Sequence, residues 1–162
     1  MSRLLGSQLP SDVLQRLNGR DLDPLASKVI PLLTVDESGW PHVALLSYFE
    51  VAARDARHLR LAAHGASATS ANMRRSGKAT LVVVDERLAC YIKATATEIA
   101  PKMRTADWNA AFDCRIEQVL VDEVDETREA GAYVSSGITY VNPRRAADLE
   151  RGRRVVAELL ER

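Results

Sequence analysis

Between positions 28 and 99 the chain alternates short β-branched, apolar runs with turn clusters of three or four residues, a pattern that favours strands joined as hairpins. Lys28-Val29-Ile30-Pro31-Leu32-Leu33-Thr34-Val35 passes through Asp36-Glu37-Ser38-Gly39 into residues 40–51, which predicts a hairpin with Pro31 at an edge or a bulge. Residues 58–64 read as a third strand, since Leu59, Leu61 and Ala63 share one face and His58, Arg60 and His64 the other. Residues 79–85 and 89–99 form a second hairpin through Glu86-Arg87-Leu88. Residues 108–121 suit a strand through Ala110, Phe112, Cys114 and Ile116, and a helix through Trp108, Phe112, Ile116 and Val119; the strand is preferred. A further strand is expected at 132–141, ended by Asn142-Pro143.

Three helices punctuate these strands. Pro10-Ser11-Asp12 opens a short one over 10–18, stopped by Gly19. Ser67 is placed to cap a second, with Gly77 as its stop. From 144 to 162 charges of both signs surround Leu149, Val156, Leu159 and Leu160, the stripe of a surface helix. Six or seven mostly hairpin-linked strands with flanking helices predict a mainly β antiparallel barrel in one domain, which 162 residues suffice to build.

The barrel must be covered outside as well as filled inside. Val43, Leu45 and Phe49 alternate with Ala44, Leu46 and Tyr48, and Leu81 and Val83 with Val82 and Val84, so both faces of these strands are apolar. A second subunit is the simplest cover, and a homodimer is expected.

Composition narrows the function. The 22 basic and 22 acidic residues leave no net charge to attract nucleic acid or an anionic membrane. No apolar run approaches the roughly 20 residues of a membrane helix, and the apolar stretch at the start is too short for a signal peptide, so a cytoplasmic location is expected. Cys90 and Cys114 lack C-x-x-C spacing and read as buried, reduced thiols. His42, His58 and His64 are not spaced as metal ligands, and no metal is expected.

One segment is suited to chemistry. A strand ending at His64 passes through Gly65 into a helix whose first turn carries Ser67, Thr69 and Ser70. Hydroxyls, free backbone N–H groups and the positive end of the helix dipole would converge there on a phosphate, with Arg74, Arg75 or Lys78 near for charge. The competing explanation is that Ser67 only caps the helix and the arginines are solvated.

Leu32-Leu33-Thr34-Val35-Asp36-Glu37-Ser38-Gly39-Trp40-Pro41-His42-Val43 and, after a further strand, Ser67-Ala68-Thr69-Ser70-Ala71-Asn72-Met73-Arg74 resemble two patterns of the pyridoxamine 5'-phosphate oxidase-like family of FMN-binding split β-barrels. These patterns are L-x-T-x-D-x-x-G-x-P-x-V and S-x-K-x-x-N-L-R, and the resemblance covers most of residues 28–99. It implies a homodimer with FMN at the subunit interface. The ring would lie along His42, Val43, Ala44, Leu45 and Ser47, and the phosphate near Ser67, Thr69, Ser70 and Asn72, with charge from Arg74 or Lys78. Where the family pattern has a phosphate-binding lysine this chain has Thr69, and Ala68 stands where arginine is frequent.

The resulting expectation is an FMN-dependent oxidoreductase acting on an unidentified small molecule, with no side-chain acid or base identifiable. The alternative is a non-catalytic split-barrel module that carries or senses flavin, haem or a phosphorylated ligand. Deazaflavin and haem remain alternatives to FMN.

Overall fold

The computed structural model describes residues 1–161, so position 162, the expected end of the last helix, lies outside the described residues. Its strands are β1 (Ser2–Gly6), β2 (Val29–Val35), β3 (Pro41–Ser47), β4 (Val51–Asp55), β5 (His58–His64), β6 (Lys78–Asp85), β7 (Leu88–Ala100) and β8 (Asn109–Asp122). The helices are α1 (Ser11–Leu17), α2 (Ala68–Ser76) and α3 (Arg145–Glu161). Seven strands follow one antiparallel path, β3-β2-β6-β7-β8-β5-β4, and β1 pairs with the last residues of β8. The two ends of that path are consecutive in the chain. Ser47 and Val51 are four residues apart, a reach of roughly 14 Å, so the sheet must curl until its outer strands approach at that end. The mainly β split barrel with flanking helices is therefore present.

Three sequence expectations change in detail. Residues 40–51 are divided, because the Glu50 carboxylate accepts from Ser47 N and Oγ at 2.7 and 2.8 Å and closes a turn with Tyr48 and Phe49 buried. Residues 132–141 do not form a strand; Thr139 makes one bridge to Lys28, flanked by Val29 N to Ile138 O and Tyr140 N to Ser27 O, and the earlier bonds go to the turn between β6 and β7. Val134 accepts from Arg87 N, Gly137 donates to Asp85, and Ile138 accepts from Val29 N, which pins a strap across the barrel rather than a ladder. Strand β1 was not expected, since its residues are exposed and no apolar face marks it. The preferred strand at 108–121 forms.

Inward-facing Leu32, Leu81, Val83, Ile92, Phe112 and Val119 are fully buried at the centre of the core. Cys90 and Cys114 are free and buried there; burial, with a smaller contribution from Asp12, pushes the Cys90 thiol up to about 11, and burial raises Cys114 further. Helix α3 docks through Val155, Val156 and Leu159, while Glu158 accepts from the N–H groups of Arg104 and Thr105 at 2.9 and 2.8 Å.

Gly152 lets α3 approach the β3–β4 turn. A Cβ there would lie 2.8 Å from Phe49 Cγ and Cδ1. In an open helix Gly→Ala gains about 1 kcal/mol. Gly152→Ala should instead lose roughly 1 kcal/mol net, as overpacking against the buried ring outweighs propensity; a raised urea midpoint would refute this.

Candidate functional site

The sequence-predicted residues sit on three elements: His42, Val43, Ala44, Leu45 and Ser47 on β3, Ser67 to Arg74 around α2, and Lys78 at the start of β6. Local chemistry places α2 as expected. Ser67 Oγ accepts from Ser70 N at 3.2 Å, and Gly77 adopts φ 64° at the other end, donating its N–H to Met73 O at 2.8 Å.

The fold then joins α2 to the outer hairpin. His42 Nε2 lies 3.2 Å from Thr69 Oγ1, Asn72 Nδ2 donates to Thr34 Oγ1 at 3.0 Å, and Arg75 donates to Val35 O. Thr69 and Asn72 are buried and His42 is half-buried, so the start of β3 packs directly against the first turns of α2. Arg75, one of the cations expected near the helix start, instead ties α2 to the end of β2 through Val35 O.

Several predicted residues have structural duties. Ser70 is fully buried and donates to His64 O at 2.9 Å. Arg74 donates to Glu98 Oε1 from Nε at 2.9 Å and to Gly65 O at 2.7 Å, so its guanidinium braces the helix start. Lys78 is exposed where the chain leaves Gly77. Ser47 lies at the opposite end of β3 from His42 and is buried against Glu50.

As an outer strand of the sheet path, β3 turns alternate backbone N–H and C=O groups away from β2. Its outward side chains form an exposed apolar strip. Val43 is 55% exposed and Leu45 52%, with Val35 beside them on β2 and Trp40, 71% exposed, in the turn before β3. The other histidines stand apart: His58 Nδ1 lies 3.0 Å from Asp55 Oδ1, and His64 is exposed at the end of β5. No described helix is long and apolar enough to cross a membrane.

The arrangement fits a flavin phosphate held by the Thr69 hydroxyl, His42 and the first N–H groups of α2, with the ring edge against β3. It offers hydrogen bonds where the family pattern has two cations, at Ala68 and Thr69.

Comparison with known proteins identifies the family and the fold. The chain is 32% identical over 111 residues to the uncharacterised protein YclD of Bacillus subtilis, covering 68% of this chain and 71% of that protein. A crystal structure from Lactobacillus delbrueckii, named as a candidate pyridoxamine 5'-phosphate oxidase, superposes with TM-score 0.58 and 21% identity, over 74% of this chain and 98% of that one. An FMN-binding protein from Syntrophomonas wolfei superposes with TM-score 0.52 and 15% identity, over 70% and 88% of the two chains; these two likenesses concern the fold. The profile described as pyridoxamine 5'-phosphate oxidase matches residues 23–133, and the chain belongs to that family.

Proposed function

We infer that this protein binds FMN as a homodimer and serves as a flavin-dependent oxidoreductase for a small molecule. The observation that carries the reading is the His42–Thr69 contact of 3.2 Å, which sets an anion-binding helix start beside a strand with outward backbone groups. Family membership and the name of the Syntrophomonas neighbour support flavin as the ligand.

Bound FMN supplies hydride or electron transfer, and the chain's part is binding and orientation. Thr69 and the α2 N–H groups hold the phosphate, and His42 Nε2 braces the Thr69 hydroxyl. The β3 backbone receives the polar edge of the ring, and the apolar strip of Val35, Trp40, Val43 and Leu45 excludes water once a second subunit covers it.

Thr69→Val tests the site without touching the Ser67 cap. It keeps the side-chain shape and removes one hydrogen bond to a charged phosphate, a loss of about 1.5–3 kcal/mol, so FMN affinity should fall at least tenfold. An unchanged flavin titration would reject the site. Turnover of reduced nicotinamide by the flavin-loaded protein supports the oxidoreductase, whereas tight binding without turnover on any donor points to the non-catalytic carrier.

A further inference from the structure

A second cavity lies where the β3–β4 turn, the loop before β8 and the start of α3 meet. It measures about 140 Å³ and is lined by Ser47, Glu50, Trp108, Asn109, Arg145 and Arg151, among others. No residue of α2 lines it, and Ser47 is the one residue it shares with the flavin site.

Several of its polar groups have no protein partner, and one of them is sealed from solvent. Asn109 is only 8% exposed, and its side-chain amide makes no hydrogen bond among the described residues. Arg145 Nε is enclosed without a partner, and its guanidinium lies over the Phe49 ring at 5.7 Å rather than against a carboxylate. Glu50 spends Oε2 on both bonds to Ser47, leaving Oε1 open. The Arg145 charge acts on the Glu50 carboxyl, yet no ion pair joins the two. A buried polar atom left unpaired, as Arg145 Nε is, is costly, and the native fold ordinarily supplies a partner.

The volume and the charge define that partner. About 140 Å³ is far more than one bridging water needs and is close to that of cavities that hold a single six-membered ring. Asp148 and Arg151 pair at 2.5 Å, so Arg145 and Glu50 remain as one cation and one acid. A net-neutral site offering an unmet donor beside an unmet acceptor complements a ligand with an acceptor beside a donor. Trp108, about half exposed with Arg151 stacked 5.4 Å from its ring, gives the mouth a flat apolar wall.

We propose that this cavity binds a small neutral amide, such as a ring-borne carboxamide or a lactam, whose carbonyl accepts from Arg145 and Asn109 and whose N–H donates to Glu50. A carboxylate of the same shape would set a second acid against Glu50 and is disfavoured. The inference is independent of flavin, because it uses neither α2 nor His42.

The test uses the full-length protein without added flavin, nicotinamide as probe and nicotinate as its charged counterpart. Nicotinamide should bind saturably, at about 1 mM or tighter, and move the NMR signals of the Asn109 side-chain amide and Arg145 Nε–H. Nicotinate should bind at least fivefold more weakly. Arg145→Met, which keeps the stem over Phe49, should weaken nicotinamide at least fivefold with unchanged far-UV circular dichroism; Glu50→Gln, a second and nearly isosteric change, should also weaken it. Absence of saturable binding overturns the proposal, and so do shifts confined to other residues. Nicotinate binding as tightly as nicotinamide overturns it in favour of an anion site.

Discussion

Replacing Asp85 with alanine is expected to lower the unfolding free energy by about 3 kcal/mol, because a nearly buried carboxylate ties four elements together. Its side chain is 4% exposed. It accepts from Lys28 Nζ at 2.7 and 2.6 Å, from Arg16 on α1, from Glu86 N at 2.8 Å and from Gly137 N of the strap at 3.2 Å. Alanine would leave two cations without their anion and two N–H groups without an acceptor. The cations are 27% and 26% exposed and partly rehydrate, which holds the cost to the lower end of the range for broken buried pairs. Asp85→Asn keeps the volume and one acceptor, so it should cost less. Urea denaturation of both variants checks this, and wild-type midpoints would refute it.

The same group sets a pH signature. Burial acts to raise the Asp85 pKa, but the Lys28 hydrogen bond, the Glu86 N–H and the charges of Arg16 and Lys28 outweigh it and hold the carboxyl below its ordinary value. A depressed folded pKa gives stability that is complete above the unfolded value near 3.9 and is lost as pH falls through the folded one. The deficit of Asp85→Ala should therefore shrink in acid. Glu50 has the opposite sign: burial raises its pKa despite the Ser47 hydrogen bonds and the Arg145 charge. Its contribution is full below about pH 4.3 and is lost as pH rises through the raised value. Stability measured against pH in Glu50→Gln should lack that decline.

Leu45→Glu is expected to keep the protein as single chains where the proposed homodimer would otherwise form, with at least a hundredfold loss of association. Leu45 is 52% exposed on an outer strand, so a carboxylate there meets water in one chain and costs its fold little. Covered by a second copy beside Val43 and Trp40, the same charge would be buried without a partner, at several kcal/mol. Sedimentation velocity should show the mass of one chain with unchanged far-UV circular dichroism. A variant that dimerises like the wild type would place the interface elsewhere. Flavin retention should fall with the dimer, since the proposed ring site lies against the same strip.

Much of the fold was readable because its signals are local. The Ser67 cap, the Gly77 stop and the hairpins at residues 36–39 and 86–88 depend on residues within a few positions of one another, and the structure has them where the patterns put them. Strand β1 and the strap were not readable. The first has no alternation, and the second carries β-branched residues but divides its bonds between residues 27–29 and the turn between β6 and β7 instead of pairing along one strand.

The candidate sites divide along the same line. The sequence by itself determined the family resemblance, the apolar strip of β3 and the hydroxyl-rich start of α2, because alternation and capping are properties of near neighbours. Only the tertiary structure decided which of those groups are available: Ser70 is used up on His64 O, Arg74 braces Gly65 and Glu98, and Thr69 meets His42. It also decided that Lys28 and Arg16 converge on the buried Asp85, and that Glu50, Asn109 and Arg145 line one cavity. Such groups lie tens of residues apart, and no local pattern encodes a pairing that exists only once the sheet has curled and α3 has packed onto it.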